Sequence, residues 1–140
     1  METAKTDILI HQGLGALRFG MPVEQVVELW GEADSVESID NLANEPTTVL
    51  HYDQLQTSLF FENENPELQC VDVANPDCTL FGLEVFPLTE RDLVKIMTDH
   101  GFFEEDVEQE PWGERRVSFP EANIDFYFDA GKLCTITFGQ

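Results

Sequence analysis

Two kinds of hydrophobic spacing alternate along this chain. Val23, Val26, Val27 and Trp30 fall at i, i+3, i+4 and i+7, the spacing of one helical face. Pro22 suits the first helical position, and Gly31 can supply a left-handed stop. Leu93, Ile96, Met97 and His100 repeat that spacing. Thr89 and Asp92, the residue pair of a capping box, open this second run, and Gly101 ends it. Elsewhere the period drops to two. Ile124, Phe126 and Phe128 alternate with Asp125, Tyr127 and Asp129, Asp129-Ala130-Gly131 reads as a hairpin turn, and residues 132–138 supply the partner strand. Residues 49–53, 57–62 and 68–73 predict the same three-stranded meander in the first half, with residues 63–66 as its turn.

Sliding the sequence against itself by 67 positions lines up these patterns. Gly15 meets Gly82, Phe19 meets Phe86, Val27 meets Val94, Tyr52 meets Phe119, Phe60 meets Tyr127 and Phe61 meets Phe128. One offset that holds through helix, loop and hairpin predicts a tandem duplication. The expected fold is therefore α+β: a single domain, 1–140, of two repeats at about 14–73 and 81–138. Each repeat would hold a short entry strand, a helix, a long loop and a meander. The helices would lie on one face of an antiparallel sheet.

Alternation also assigns faces. With Leu50, Tyr52, Val71, Val73, Val117, Phe119, Ile136 and Phe138 turned inward, Cys134 joins them. The opposite face then carries His51, Ser58, Phe60, Leu68, Cys70, Ser118, Asp125, Tyr127, Leu133, Thr135 and Thr137. Phe60 and Tyr127 occupy matching places, and aromatics so placed are favoured anchors for a protein partner. The candidate partner-binding residues are Phe60 and Tyr127 with neighbouring His51 and Asp125, together with Trp112 and the acids Glu108 and Glu110 that precede it.

Charge changes this picture from a sheet face to an acidic one. The 140 residues hold 28 acids against 7 bases, a net charge of −21. It is no tail, since 13 acids and 2 bases lie at or before Glu67 and the rest follow it. Such a balance repels phosphate backbones and anionic headgroups, so neither nucleic acid nor membrane is an expected ligand, and the expected partner is a basic protein. Residues 1–7 lack the basic-then-apolar pattern of a signal peptide. Cys70, Cys78 and Cys134 are odd in number and without CxxC spacing, which suits reduced thiols and a cytoplasmic location.

Catalytic chemistry has no sequence signature here. His11, His51 and His100 are isolated, which predicts no metal site. The run Glu104, Glu105, Asp106, Glu108 and Glu110 lacks the Asp-x-Asp-x-Asp-Gly pattern of a calcium loop. Gly13-x-Gly15 has no third glycine, and no cofactor is expected.

The run Gly20-Met21-Pro22-Val23-Glu24-Gln25-Val26-Val27-Glu28-Leu29-Trp30-Gly31-Glu32-Ala33 resembles the motif that opens each unit of the beta-lactamase-inhibitor-protein-like fold, which small outer-membrane assembly lipoproteins also carry. Ala33 replaces the usual Pro, Trp30 replaces a Leu, and Pro87-Leu88 stands where the second copy would have Gly-Met. The resemblance implies a protein that binds a partner across an uncovered sheet face. Together these features predict a non-enzymatic acidic binding protein of the immunity or inhibitor type. A self-associating structural module that forms a homodimer, or a small enzyme with a pocket that spacing does not reveal, are the alternatives.

Overall fold

The computed structural model describes residues 6–39, 47–62 and 66–140. In the first half, three short strands, Asp7–Leu9 (β1), Gly13–Leu14 (β2) and Leu17–Arg18 (β3), precede the helix Val23–Trp30 (α1). Four longer strands follow: Ser35–Ile39 (β4), Thr47–Tyr52 (β5), Thr57–Glu62 (β6) and Glu67–Val73 (β7). In the second half Thr79–Leu80 (β8) and Leu83–Glu84 (β9) precede the helix Glu90–Asp99 (α2). Asp106–Gln109 (β10), Glu114–Phe119 (β11), Ile124–Asp129 (β12) and Lys132–Gly139 (β13) complete the chain.

The helices form where the apolar stripe and the end signals agree. Val26 and Trp30 bury one face of α1, Gly31 takes φ 82° at its end, and Pro22 is the extended residue before the first turn rather than its first member. Thr89 Oγ1 caps α2 by accepting the Asp92 N–H at 3.2 Å, and Leu93 and Met97 are its buried side chains. His100 does not join them. It is exposed, donates from Nδ1 to the Ile96 carbonyl at 2.9 Å, and stacks on Phe81 with ring centroids 3.6 Å apart.

The α+β expectation, a tandem duplication of a helix-plus-meander unit with helices layered on one face of one sheet, is overturned by the strand content and the two-sheet arrangement. Strands take 48% of the described residues and helices 17%, in two sheets. One sheet has five short strands in the order β3-β2-β1-β8-β9, and the other has eight in the order β10-β11-β12-β13-β7-β6-β5-β4. The layer facing the large sheet is thus built partly from strands of two or three residues, too short for any period to register. The expected long loop after each helix contains a further strand, β4 or β10. Both are sheet edges: β10 is exposed throughout, so its sequence carries no alternation of burial. Of the expected turn at 63–66, residues 63–65 lie outside the described residues, as do residues 40–46 of the expected loop. The turn at Ala130 and Gly131 is present as expected, with φ of 51° and 81°, the two positive values of a type I′ hairpin.

A single core joins Ile8, Leu14, Leu17 and Leu80 of the small sheet, the buried side chains of both helices, and one face of the large sheet from Leu50 to Phe138. Local contacts seat α1 on it. Gly20 N–H donates to the Leu68 carbonyl and Leu68 N–H to the Met21 carbonyl, both at 2.9 Å. Tyr52 Oη donates to the Gly31 carbonyl at 2.8 Å.

Two β-bulges correct the expected faces. Phe60 pairs with Cys70 but Phe61 pairs with Leu68, so Gln69 is an extra residue in β7. Tyr127 pairs with Thr135 but Phe128 pairs with Leu133, so Cys134 is an extra residue in β13. Each insertion reverses the phase of alternation beyond it. Leu68 and Leu133, expected outside, are therefore buried, and Cys134, expected inside, is exposed. Replacing Leu133 by alanine should cost about 2–5 kcal/mol in urea unfolding. Cys134→Ala should fall within about 0.5 kcal/mol of wild type. The reverse ranking would contradict the bulge.

Candidate functional site

The face of the large sheet turned away from the core is read strand by strand from its register. One row runs Asp106, Ser118, Asp125, Thr137, Asp72, Ser58, His51 and Ser35, each residue paired with the next across β10, β11, β12, β13, β7, β6, β5 and β4. Through the first five places a carboxylate alternates with a hydroxyl. Because strands lie about 4.8 Å apart, the acids Asp106, Asp125 and Asp72 recur at about 10 Å. The next row is Glu108, Arg116, Tyr127 and Thr135.

The two ends of this face differ. Toward β5 and β6 it is closed: Val49, between Glu37 and Phe60, is 1% exposed, and Phe60 beside it is half-buried. His51 is tied there as well. Its Nδ1 lies 2.8 Å from Ser58 Oγ and its Nε2 3.8 Å from Glu37 Oε1. Toward β12 and β13 the face opens into a groove of about 470 Å³, lined by Asp72, Trp112, Glu114, Tyr127, Phe128, Asp129, Cys134, Thr135 and Thr137.

The elements hold these side chains in different ways. Thr137 Oγ1 donates to Asp72 Oδ1 at 2.6 Å across the β13–β7 seam, which fixes one carboxylate oxygen and leaves the other. Trp112 sits on the turn between β10 and β11 and is 73% exposed. Its position is set by hydrogen bonds from Glu110 N–H to the Glu114 carbonyl at 2.7 Å and from Gly113 N–H to the Glu110 carbonyl at 3.1 Å. Burial, and after it Asp125, raises the Tyr127 phenol above its usual pKa, so the ring is neutral at physiological pH. Arg116, a cation on this face, is committed to Glu108 at 2.9 Å and Asp106 at 3.5 Å.

Of the sequence-derived candidates, the groove brings together Tyr127 and Trp112. Asp125 lies one row away and lines a neighbouring hollow with Glu62, Cys70 and Thr137. Glu108 faces the same side but holds Arg116, and Glu110 is half-buried in the Trp112 turn. Phe60 and His51 stand on β6 and β5, so Phe60 is three strands, about 14 Å, from Tyr127. Sequence reasoning missed Asp72, Glu114 and Asp129. Period-two alternation places all three outside, but only cross-strand register brings them to one groove.

Thiol chemistry is suppressed at Cys70. Burial, then the charge of Asp72, pushes this thiol up to about 11, and burial followed by Asp7 pushes Cys78 up to about 12. A protonated thiol is a poor nucleophile.

No family model matches the chain, and no curated protein does. Two solved structures are similar to it in fold. The uncharacterized protein yfeY from Escherichia coli shares 11% identity at a TM-score of 0.60, over 98% of this chain and 100% of that one. An extracellular protein containing a SCP domain, from Bacillus anthracis str. Ames, shares 14% identity at a TM-score of 0.57 over the whole of this chain. The chain spans about half of that second protein, 47% of its length.

The raised thiols make a prediction about pH. Unfolded, both ionise near 9.0, whereas folded they hold their protons to about 11 and about 12. Their contribution is complete below pH 9 and is lost as pH rises through the folded values. The urea midpoint should hold from pH 7 to about 8.5 and fall above pH 9. It should fall less steeply in the Cys70→Ser, Cys78→Ala double variant, and an unchanged slope would assign the loss to other groups.

Proposed function

We propose that this protein is a non-enzymatic binding protein of the immunity or inhibitor type, which captures a basic protein on the open part of its outer sheet face. The observation that carries the proposal is the row Asp106, Asp125 and Asp72, with acids on alternate strands and hydroxyls between them. A face this acidic attracts a basic surface over roughly a Debye length, about 8 Å at physiological salt, and speeds the encounter. Tyr127 and the exposed Trp112 then supply apolar area at the centre of the contact. The likeness of residues 20–33 to the inhibitor-type motif supports the same mode of binding, across a sheet face.

A second copy of the chain fits this face less well. Packed face to face, it would set the same carboxylates against one another, and like charges brought together cost several kcal/mol. The three cysteines are unpaired, which supports a place in the reducing cytoplasm. No helix among the described residues is long and apolar enough to cross a membrane.

Capture from the native lysate, followed by kinetics with the recovered protein, tests the proposal. The association rate constant should fall at least tenfold between about 50 and 300 mM salt, and the Asp72→Lys, Asp125→Lys variant should lose binding by a similar factor. Recovery of an acidic protein, or capture indifferent to salt and to charge reversal, would reject it.

A further inference from the structure

We infer that the groove between Trp112 and Tyr127 is a receptor for an arginine side chain, whose guanidinium lies against the aromatic rings and is paired by Asp129 and Glu114. This rests on the reading of the outer face as the surface for a basic protein, and it names the group by which that protein is held.

Three observations converge on a cation. The first is register: Glu114 and Asp129 are directly opposed across β11 and β12. Like charges in that relation destabilise a sheet. Among the described residues neither forms an ion pair, although Lys132 stands opposite Asp129 in β13 and other acids are paired. Glu90 holds Arg115, Asp99 holds Lys95, and Asp106 and Glu108 hold Arg116. The repulsion left at the groove is relieved by a positive group that enters from outside.

The second observation is the company these acids keep. Tyr127 and Trp112 offer π-faces beside the carboxylates, and Thr135 and Thr137 offer hydroxyls. Among the described residues no three acids, histidines or cysteines gather closely enough to hold a metal ion. A guanidinium fits both parts of the lining: it is planar, stacks on aromatic rings and donates a two-pronged hydrogen bond to a carboxylate. An ammonium can also lie over a ring and donate to a carboxylate, but as a compact point charge it lacks the planar fork that stacks and pairs bidentately.

The third is size and preparation. A volume of about 470 Å³ lies within the range of about 300–1,000 Å³ found for ligand sites. It admits a whole arginine side chain with its flanking backbone. Trp112, the most exposed of the large apolar side chains among the described residues, stands on a turn whose backbone is fixed by hydrogen bonds, so the turn itself needs little ordering on binding.

The test is an NMR titration of the full chain with N-acetyl-arginine methylamide, with the lysine counterpart and spermidine as comparators. Saturable shifts should appear at the Trp112 indole N–H and at the Asp129, Thr135 and Thr137 amides, and the lysine compound and spermidine should bind at least about fivefold more weakly. Glu114→Gln should weaken arginine binding about fivefold or more and also raise Tm by about 1–4 °C, because it removes one of two opposed charges. Trp112→Ala, at an exposed position, should lose binding with Tm unchanged. Shifts spread evenly over the acidic surface, equal binding of all three compounds, or a lowered Tm in Glu114→Gln would overturn the assignment. If the basic partner still binds the outer face as tightly in Trp112→Ala as in wild type, the groove alone is overturned. If charge reversal at Asp72 and Asp125 also leaves that binding unchanged, both inferences fall.

Discussion

Val71 and Val73 of β7 lie opposite Phe138 and Ile136 of β13, and this antiparallel contact joins two four-stranded halves into one eight-stranded sheet. Without it each half would leave an apolar face and a strand edge uncovered. The seam is closely built at its end. A Cβ on Gly139 would come within 2.8 Å of Asn123 Nδ2 and 3.1 Å of the Gln69 carbonyl oxygen, so only glycine fits there without displacement. Gly139 N–H donates to the Asn123 carbonyl, and Gln140 N–H donates to that of Gln69. On the outer side, the same seam brings Thr137 to Asp72 and so makes one wall of the groove.

The charge is distributed so that the fold bears it at modest cost. Acids on alternate strands stand about 10 Å apart, slightly more than the Debye length at physiological salt, and repel one another weakly while solvated. Glu114 and Asp129, like Glu62 and Glu67, are exceptions, since directly opposed residues have Cβ atoms about 5 Å apart, well inside that length. The magnitudes therefore separate two roles. The dispersed acids set a long-range potential, whereas the opposed Glu114 and Asp129 place two exposed carboxylates where a nearby cation would relieve their repulsion, an effect that salt also screens. Stability comes from elsewhere: Phe61, Phe119, Phe126 and Phe138 are each at most 2% exposed on the inner face.

Much of this was legible in the residues. The helical runs beginning at Val23 and Glu90 and the meander strands carry strong periods because each has one face in the core. The outward assignment of Tyr127, Asp125, Thr135 and Thr137 follows from the same alternation. What was hidden had a physical reason in each case. The two-residue strands β2, β3, β8 and β9 are too short to show a period, and β10, an exposed edge, needs none. Leu68, Leu133 and Cys134 were placed on the wrong faces because a bulge is a property of pairing between strands, and one strand's sequence does not display it. The groove was hidden for a similar reason: Asp72 is 42 residues from Glu114, and only the strand order brings them to one surface.

The bulge at Cys134 ties the site to the fold without making either depend on the other's chemistry. A regular ladder along β13 would still place Ile136 and Phe138 inward, but it would have one residue fewer between Thr135 and the turn. The additional residue returns Leu133 to the core while Cys134 stays on the groove wall, and the sharper local twist that accompanies a bulge curves the strand where Trp112 approaches it. Backbone geometry therefore shapes the groove, and outward side chains that contribute little to the core line it. Substitution at Trp112, Glu114, Asp129 or Thr135 can alter what the face holds while the packing of Leu133, Phe126 and Ile136 beneath it is unchanged. Side chains on such a face can change one at a time with little effect on the core beneath them.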